Sequence, residues 1–127
     1  VLVRLKTDLL DIIDAVLAGR LDQIKIEWRD EAAVCVVMAA GGYPGSYAKG
    51  MEITGIAQAE ALGATVFHAG TAMRDEKIIS NGGRVLGVTA LGTDIAAAVE
   101  NVYNAVGKIH FDTCFYRRDI AHRALKK

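Results

Sequence analysis

Nine consecutive apolar residues, Ala32 to Ala40, stop abruptly against Gly41-Gly42-Tyr43-Pro44-Gly45. The run is rich in β-branched valine and far too short to cross a bilayer, so it reads as a buried strand. The glycines and the only proline that follow mark a loop from Gly41 to Gly50. Thr65 to His68 and Lys77 to Ile79 also read as strands, joined by the polar tip Arg74-Asp75-Glu76. Asn81-Gly82-Gly83 is a hairpin-turn signal ahead of a further strand, Arg84 to Leu91. Met51 to Gly55 is expected to be a short strand and Ile56 to Leu62 a helical turn.

Helical spacing marks both flanks. Leu5, Leu9, Ile12, Ile13, Val16 and Leu17 fall on one face of a helix expected over residues 3–18, with Gly19 suited to its stop. Nothing upstream offers that helix a cap, which suggests that a preceding segment is absent. Residues 20–31 form a charged connector. Thr93 reads as the N-cap of a second helix carrying Ile95, Val99, Val102, Tyr103, Val106 and Ile109, with Asp94 and Lys108 suiting its dipole. Short strands with a helix at each end predict an α+β fold on a small, mainly antiparallel sheet.

Composition limits the rest. The chain's 127 residues suffice for one domain, and the 52% apolar content argues against disorder. Fifteen basic and 15 acidic side chains cancel, which gives no general pull toward nucleic acid or an anionic membrane. No secretion signal is recognisable. Cys35 and Cys114 are too far apart for a metal motif and read as reduced thiols of a cytoplasmic protein.

Chemistry concentrates in the loop Gly41-Gly42-Tyr43-Pro44-Gly45-Ser46-Tyr47-Ala48-Lys49-Gly50. Glycines let backbone N–H groups approach a ligand, Lys49 supplies a charge for a phosphate, and the tyrosines add hydroxyls. It lacks the spacing of a Walker A loop, and a plain turn between strands is the competing reading. Arg84, next to Gly83, could face an anionic substrate. His68, His110 and His122 show no metal-ligand spacing, and His68 reads as a structural histidine. Asp75 and Glu76 read as solvated charge, and Arg117, Arg118 and Arg123 as salt-bridging to the body of the protein or to a neighbouring domain.

Several ordered stretches resemble the glycinamide ribonucleotide synthetase family. They are Ala39-Ala40-Gly41-Gly42-Tyr43-Pro44-Gly45, Val66-Phe67-His68-Ala69-Gly70-Thr71, Asn81-Gly82-Gly83-Arg84-Val85-Leu86, Val88-Thr89-Ala90-Leu91-Gly92, Lys108-Ile109-His110-Phe111-Asp112, and Tyr116-Arg117-Arg118-Asp119-Ile120 with Arg123-Ala124. Arg4-Leu5-Lys6-Thr7-Asp8-Leu9 resembles the helix that closes the family's ATP-grasp domain. Ala121 stands where the family has glycine, and Thr93-Asp94 reverses the usual order. The resemblance implies that residues 1–27 are the last ATP-grasp helix and connector, and residues 28–127 the β-rich, barrel-like C-terminal domain. It implies a ligase that joins glycine to 5-phosphoribosylamine with ATP in purine synthesis, through a glycyl phosphate. ATP and magnesium or manganese would be held mainly by N-terminal and ATP-grasp domains not contained in this chain, which alone would be inactive. Gly41, Gly42, Tyr43, Pro44 and Lys49 would line the phosphoribosylamine side of the cleft, with Arg84 and Lys6 as further contacts. Two other readings are a stand-alone docking or small-ligand module and a segment of a multifunctional purine enzyme. The apolar face of residues 5–17 is expected to make the isolated chain self-associate.

Overall fold

The computed structural model describes residues 1–126; Lys127, the end of the basic tail, lies outside the described residues. Among the described residues, five strands and three α-helices follow one another. They are α1 (Leu9–Leu17), β1 (Ala32–Ala39), α2 (Ile56–Ala61), β2 (Thr65–His68), β3 (Thr71–Arg74), β4 (Lys77–Ser80), β5 (Arg84–Gly92) and α3 (Ile95–Val106). β5 is the centre of a three-stranded antiparallel sheet in the order β1-β5-β2, and β3 and β4 form a separate antiparallel hairpin. The antiparallel α+β expectation holds.

Side-chain alternation decides which face is covered. The register sets Val36 opposite Val88, Met38 opposite Leu86, and Val66 opposite Val88. These residues are buried and form one contiguous core with α3. α3 contributes Ala98, Val102, Ala105 and Val106, a helical stripe with no exposed surface, and packs across β5 and β1. The opposite parity, Cys35, Val37 and Phe67, stays exposed. β1 is the strand expected from its unbroken apolar run, buried on one face only because a helix covers just one side of the sheet.

Other expectations are corrected. The first helix begins at Leu9, not at residue 3, and it is capped: the Asp8 carboxylate accepts the Leu10 N–H at 2.8 Å. Residues ahead of it form a 3₁₀ turn, Leu2–Arg4, and Leu5 pairs with Trp28 in a single bridge. Gly19 ends α1 as expected, at φ +64°, with the Arg20 N–H donating to Ala15 O and the Gly19 N–H to Val16 O. Met51 to Gly55 makes only isolated bridges, Glu52 to Ile79 and Thr54 to His110. The Arg74-Asp75-Glu76 tip joins β4 to β3, not to β2, whose partner is β5. Asn81-Gly82-Gly83 is consequently no hairpin turn but a link between the two sheets. The N-cap of α3 is Asp94, one residue past Thr93, and the helix ends at Val106, ahead of Ile109.

Candidate functional site

The register of β1 on β5 shifts between Met38 and Ala39, which pairs Ala39 with Arg84. Ala39 also turns to a new partner, exchanging hydrogen bonds of 2.8 and 2.9 Å with Phe115. The next N–H, on Ala40, donates to Gly83 O at 2.8 Å. The two glycine-rich segments are thus pinned together where β1 ends and β5 begins. The chain then turns through Gly42 at φ +93°, where any Cβ would overlap the Ser46 carbonyl oxygen. The Tyr43 N–H closes the turn on Ala40 O at 3.1 Å, and the Tyr43–Pro44 peptide is cis.

Tyr43 lies with its ring on Gly83. Tyr47 meets that ring at a centroid distance of 6.0 Å and an angle of 64°, an edge-on arrangement. Tyr43, Gly83 and Arg84 line an open cavity of about 570 Å³ whose remaining walls include Val37, Phe67 and Gly70. This cavity lies on the sheet face that α3 leaves free. Arg84 is exposed and is the only charged residue lining it; among the described residues it has no ion-pair partner. A guanidinium at the edge of an apolar, aromatic and glycine-paved hollow suits an anion attached to a compact organic body.

Of the residues singled out by sequence, Tyr43 and Arg84 come together at this cavity. Gly41, Gly42 and Pro44 flank Tyr43 in the same turn without lining it. Lys49 is exposed near the loop's far end, where the Gly50 N–H donates to Ser80 O at 2.6 Å and Arg74 Nη2 donates to Gly50 O at 3.1 Å. Lys6 sits on another segment, its N–H donating to Glu27 O at 2.9 Å. Val37 and Phe67 were not singled out and Gly83 was read only as part of a turn; the alternation of Val66 and Phe67 becomes a signal only once one knows which face is covered.

The histidines do not converge. His68 is exposed, with Nδ1 3.1 Å from Thr71 Oγ1. Among the described residues no three His, Cys, Asp or Glu side chains cluster to hold a metal ion. In the tail, Arg117 pairs with Asp119 through bonds of 2.8 and 2.6 Å, not with the body of the protein. Arg117 holds the Asp119 carboxyl down to about 2. Tyr103 on α3 clasps this segment: its hydroxyl donates to Arg117 O at 2.7 Å and accepts the Ile120 N–H at 3.2 Å.

The chain as a whole is similar to known proteins. Residues 33–123 match the family model described as "Phosphoribosylglycinamide synthetase, C domain". A phosphoribosylamine–glycine ligase from Synechocystis is 52% identical over 126 residues, which is 98% of this chain and 30% of that protein. The trifunctional purine biosynthetic protein adenosine-3 of Gallus gallus is 48% identical over 122 residues, 95% of this chain and 12% of that protein. The crystal structure of phosphoribosylamine–glycine ligase from Thermotoga maritima superposes with a TM-score of 0.68 at 39% identity, covering 85% of this chain and 27% of that one. The chain spans about 30% of the length of the single-activity ligases it matches.

Proposed function

Since the chain belongs to the phosphoribosylglycinamide synthetase C-domain family, we propose that it is the C-terminal portion of a phosphoribosylamine–glycine ligase and that the Tyr43–Arg84 cavity forms the phosphoribosylamine side of its cleft. In the whole enzyme ATP would phosphorylate the glycine carboxylate. The amine of phosphoribosylamine would then attack the acyl carbon and release phosphate, giving glycinamide ribonucleotide. N-terminal and ATP-grasp portions, within the roughly two-thirds of the ligases' length that this chain does not span, would hold ATP. Among the described residues no three His, Cys, Asp or Glu side chains cluster, which does not fit magnesium or manganese, and the metal would be held by the portions that this chain does not span.

The task left to this chain is positioning and water exclusion. An amine brought to within attacking distance of an acyl group gains most of its rate from lost freedom. A glycyl phosphate survives only where water is kept out. Arg84 would take the sugar phosphate, and the Val37–Phe67 floor the ribose. The Gly41 and Gly42 N–H groups and Lys49 would add donors from the turn, with Lys6 as a further contact from the N-terminal segment. That segment, residues 1–27, would belong with the ATP-grasp portion and residues 28–127 with the C-terminal domain. The setting would be cytoplasmic; among the described residues no helix is long and apolar enough to cross a membrane.

The single observation behind the site reading is an arginine, without an ion-pair partner among the described residues, on a 570 Å³ cavity lined by Tyr43, Gly83 and residues of β1, β2 and β5. In the intact ligase, Arg84→Ala should raise KM for phosphoribosylamine about tenfold to a hundredfold, the loss of a charge-assisted hydrogen bond. KM for ATP should stay within about twofold. Lys49→Ala should act in the same direction and more weakly. Equal weakening of both substrates, or of neither, would remove the cavity from consideration. The match to the trifunctional protein keeps open a second setting, as one segment of a multifunctional enzyme. The intact mass of the source polypeptide separates the two.

A further inference from the structure

Gly83 is not in the left-handed region, so its backbone does not require glycine. What excludes a side chain is the Tyr43 ring. A Cβ on Gly83 would fall inside that ring, 3.0 Å from Cγ and 2.5 Å from Cε2. The backbone at Gly83 has little freedom to withdraw. Its carbonyl accepts the Ala40 N–H at 2.8 Å, and the next residue, Arg84, is paired with Ala39. Tyr47 stands at the Tyr43 ring with its centroid 6.0 Å away. The ring is therefore seated where Gly83 leaves room, and that seated ring is part of the cavity lining.

We propose that Gly83 is a positioning residue of the substrate cavity: its missing side chain is the seat of the Tyr43 ring, and the seated ring sets the space available to the sugar-phosphate substrate beside Arg84. The proposal rests on the reading of the cavity given above. Adding one methyl group at Gly83 displaces the ring and reshapes the wall while leaving the Arg84 charge in place. Gly83 thus controls substrate fit through Tyr43.

The test uses the full-length ligase with Gly83→Ala, Tyr43→Ala and the double variant. Gly83→Ala should raise KM for phosphoribosylamine on the order of tenfold or more, with kcat and KM for ATP within about twofold. Tyr43→Ala should raise the same KM. The double variant should be no worse than Tyr43→Ala, since no ring remains to be displaced. With 3-fluorotyrosine incorporated, the ¹⁹F resonance assigned to Tyr43 should shift in Gly83→Ala without substrate. Additive effects in the double variant, or an unmoved resonance, overturn the positioning role. If Tyr43→Ala raises KM and Gly83→Ala does not, the positioning role alone fails. If neither variant changes phosphoribosylamine kinetics, the cavity reading fails and takes this proposal with it. If Gly83→Ala does not fold, the double variant decides: recovery of folding supports the seat, and continued misfolding overturns it.

Discussion

α1 and α3 start with the same device. Asp8 accepts the Leu10 N–H and Asp94 the Ala97 N–H, each at 2.8 Å. Both helices carry an apolar stripe. On α3 the stripe disappears into the core, with Val102 and Val106 at zero exposure, whereas on α1 Val16 is 54% and Leu17 80% exposed and only Ala15 is buried. Helical periodicity of apolar residues thus identifies a face to be covered, without saying which part of a protein covers it. α3 finds its cover in this chain. Under the reading proposed above, the face of α1 would lie against the ATP-grasp portion.

The sharpest way to break this contrast is to place a charge on each stripe. Val102→Asp buries an unpaired carboxylate and should abolish cooperative unfolding, read by circular dichroism in urea. Ile13→Asp should leave the unfolding curve in place and convert a self-associating isolated chain to a monomer by light scattering. A destabilised Ile13→Asp protein would mean that α1 is packed after all. Truncations refine the comparison. Val102→Ala should cost about 2 kcal/mol, against a change within about 0.5 kcal/mol for Leu17→Ala. Loss of the caps should separate in kind. Asp94→Ala should lower global stability by about 1 kcal/mol, while Asp8→Ala speeds amide exchange in α1 with no shift of the global midpoint.

The smallest expected effect is on the tail that Tyr103 clasps to α3. Arg117 lowers the Asp119 carboxyl to about 2, below its unfolded value of 3.8. The contribution of the pair is complete above the unfolded value and is lost as pH falls through about 2. Both side chains are solvated, so the contribution is slight. Asp119→Asn should remove a shallow acid-dependent fall in thermal midpoint between pH 4 and pH 2 (roughly the window between these two values). An identical acid slope in both proteins would show that the pair adds nothing.

What the sequence shows and hides follows the same line. β1, β2 and β5 stand out because their residues bury one or both parities and are β-branched. β3 escaped because Thr71-Ala72-Met73-Arg74 carries neither alternation nor bulk. The pairing of β2 escaped because a polar tip such as Arg74-Asp75-Glu76 announces a reversal and not which strands it joins. The start of α1 was misplaced because Leu5 keeps helical phase with Leu9, while Asp8 prefers the cap and breaks the helix between them. Tyr43 and Arg84 were legible as chemistry. Phe67 and Gly83 were not, since a residue that shapes a wall has no chemical signature until its neighbours are known.

The centre of the sheet has a consequence for synthesis. β1 and β2 each bond to β5 and not to one another. A ribosome therefore delivers both outer strands before the one that joins them. Until Arg84 to Gly92 emerges, the valines of β1 have no hydrogen-bonded neighbour and stay accessible to chaperones and to other nascent chains. Any transcript interrupted ahead of that point yields a polypeptide that quality-control proteases should clear.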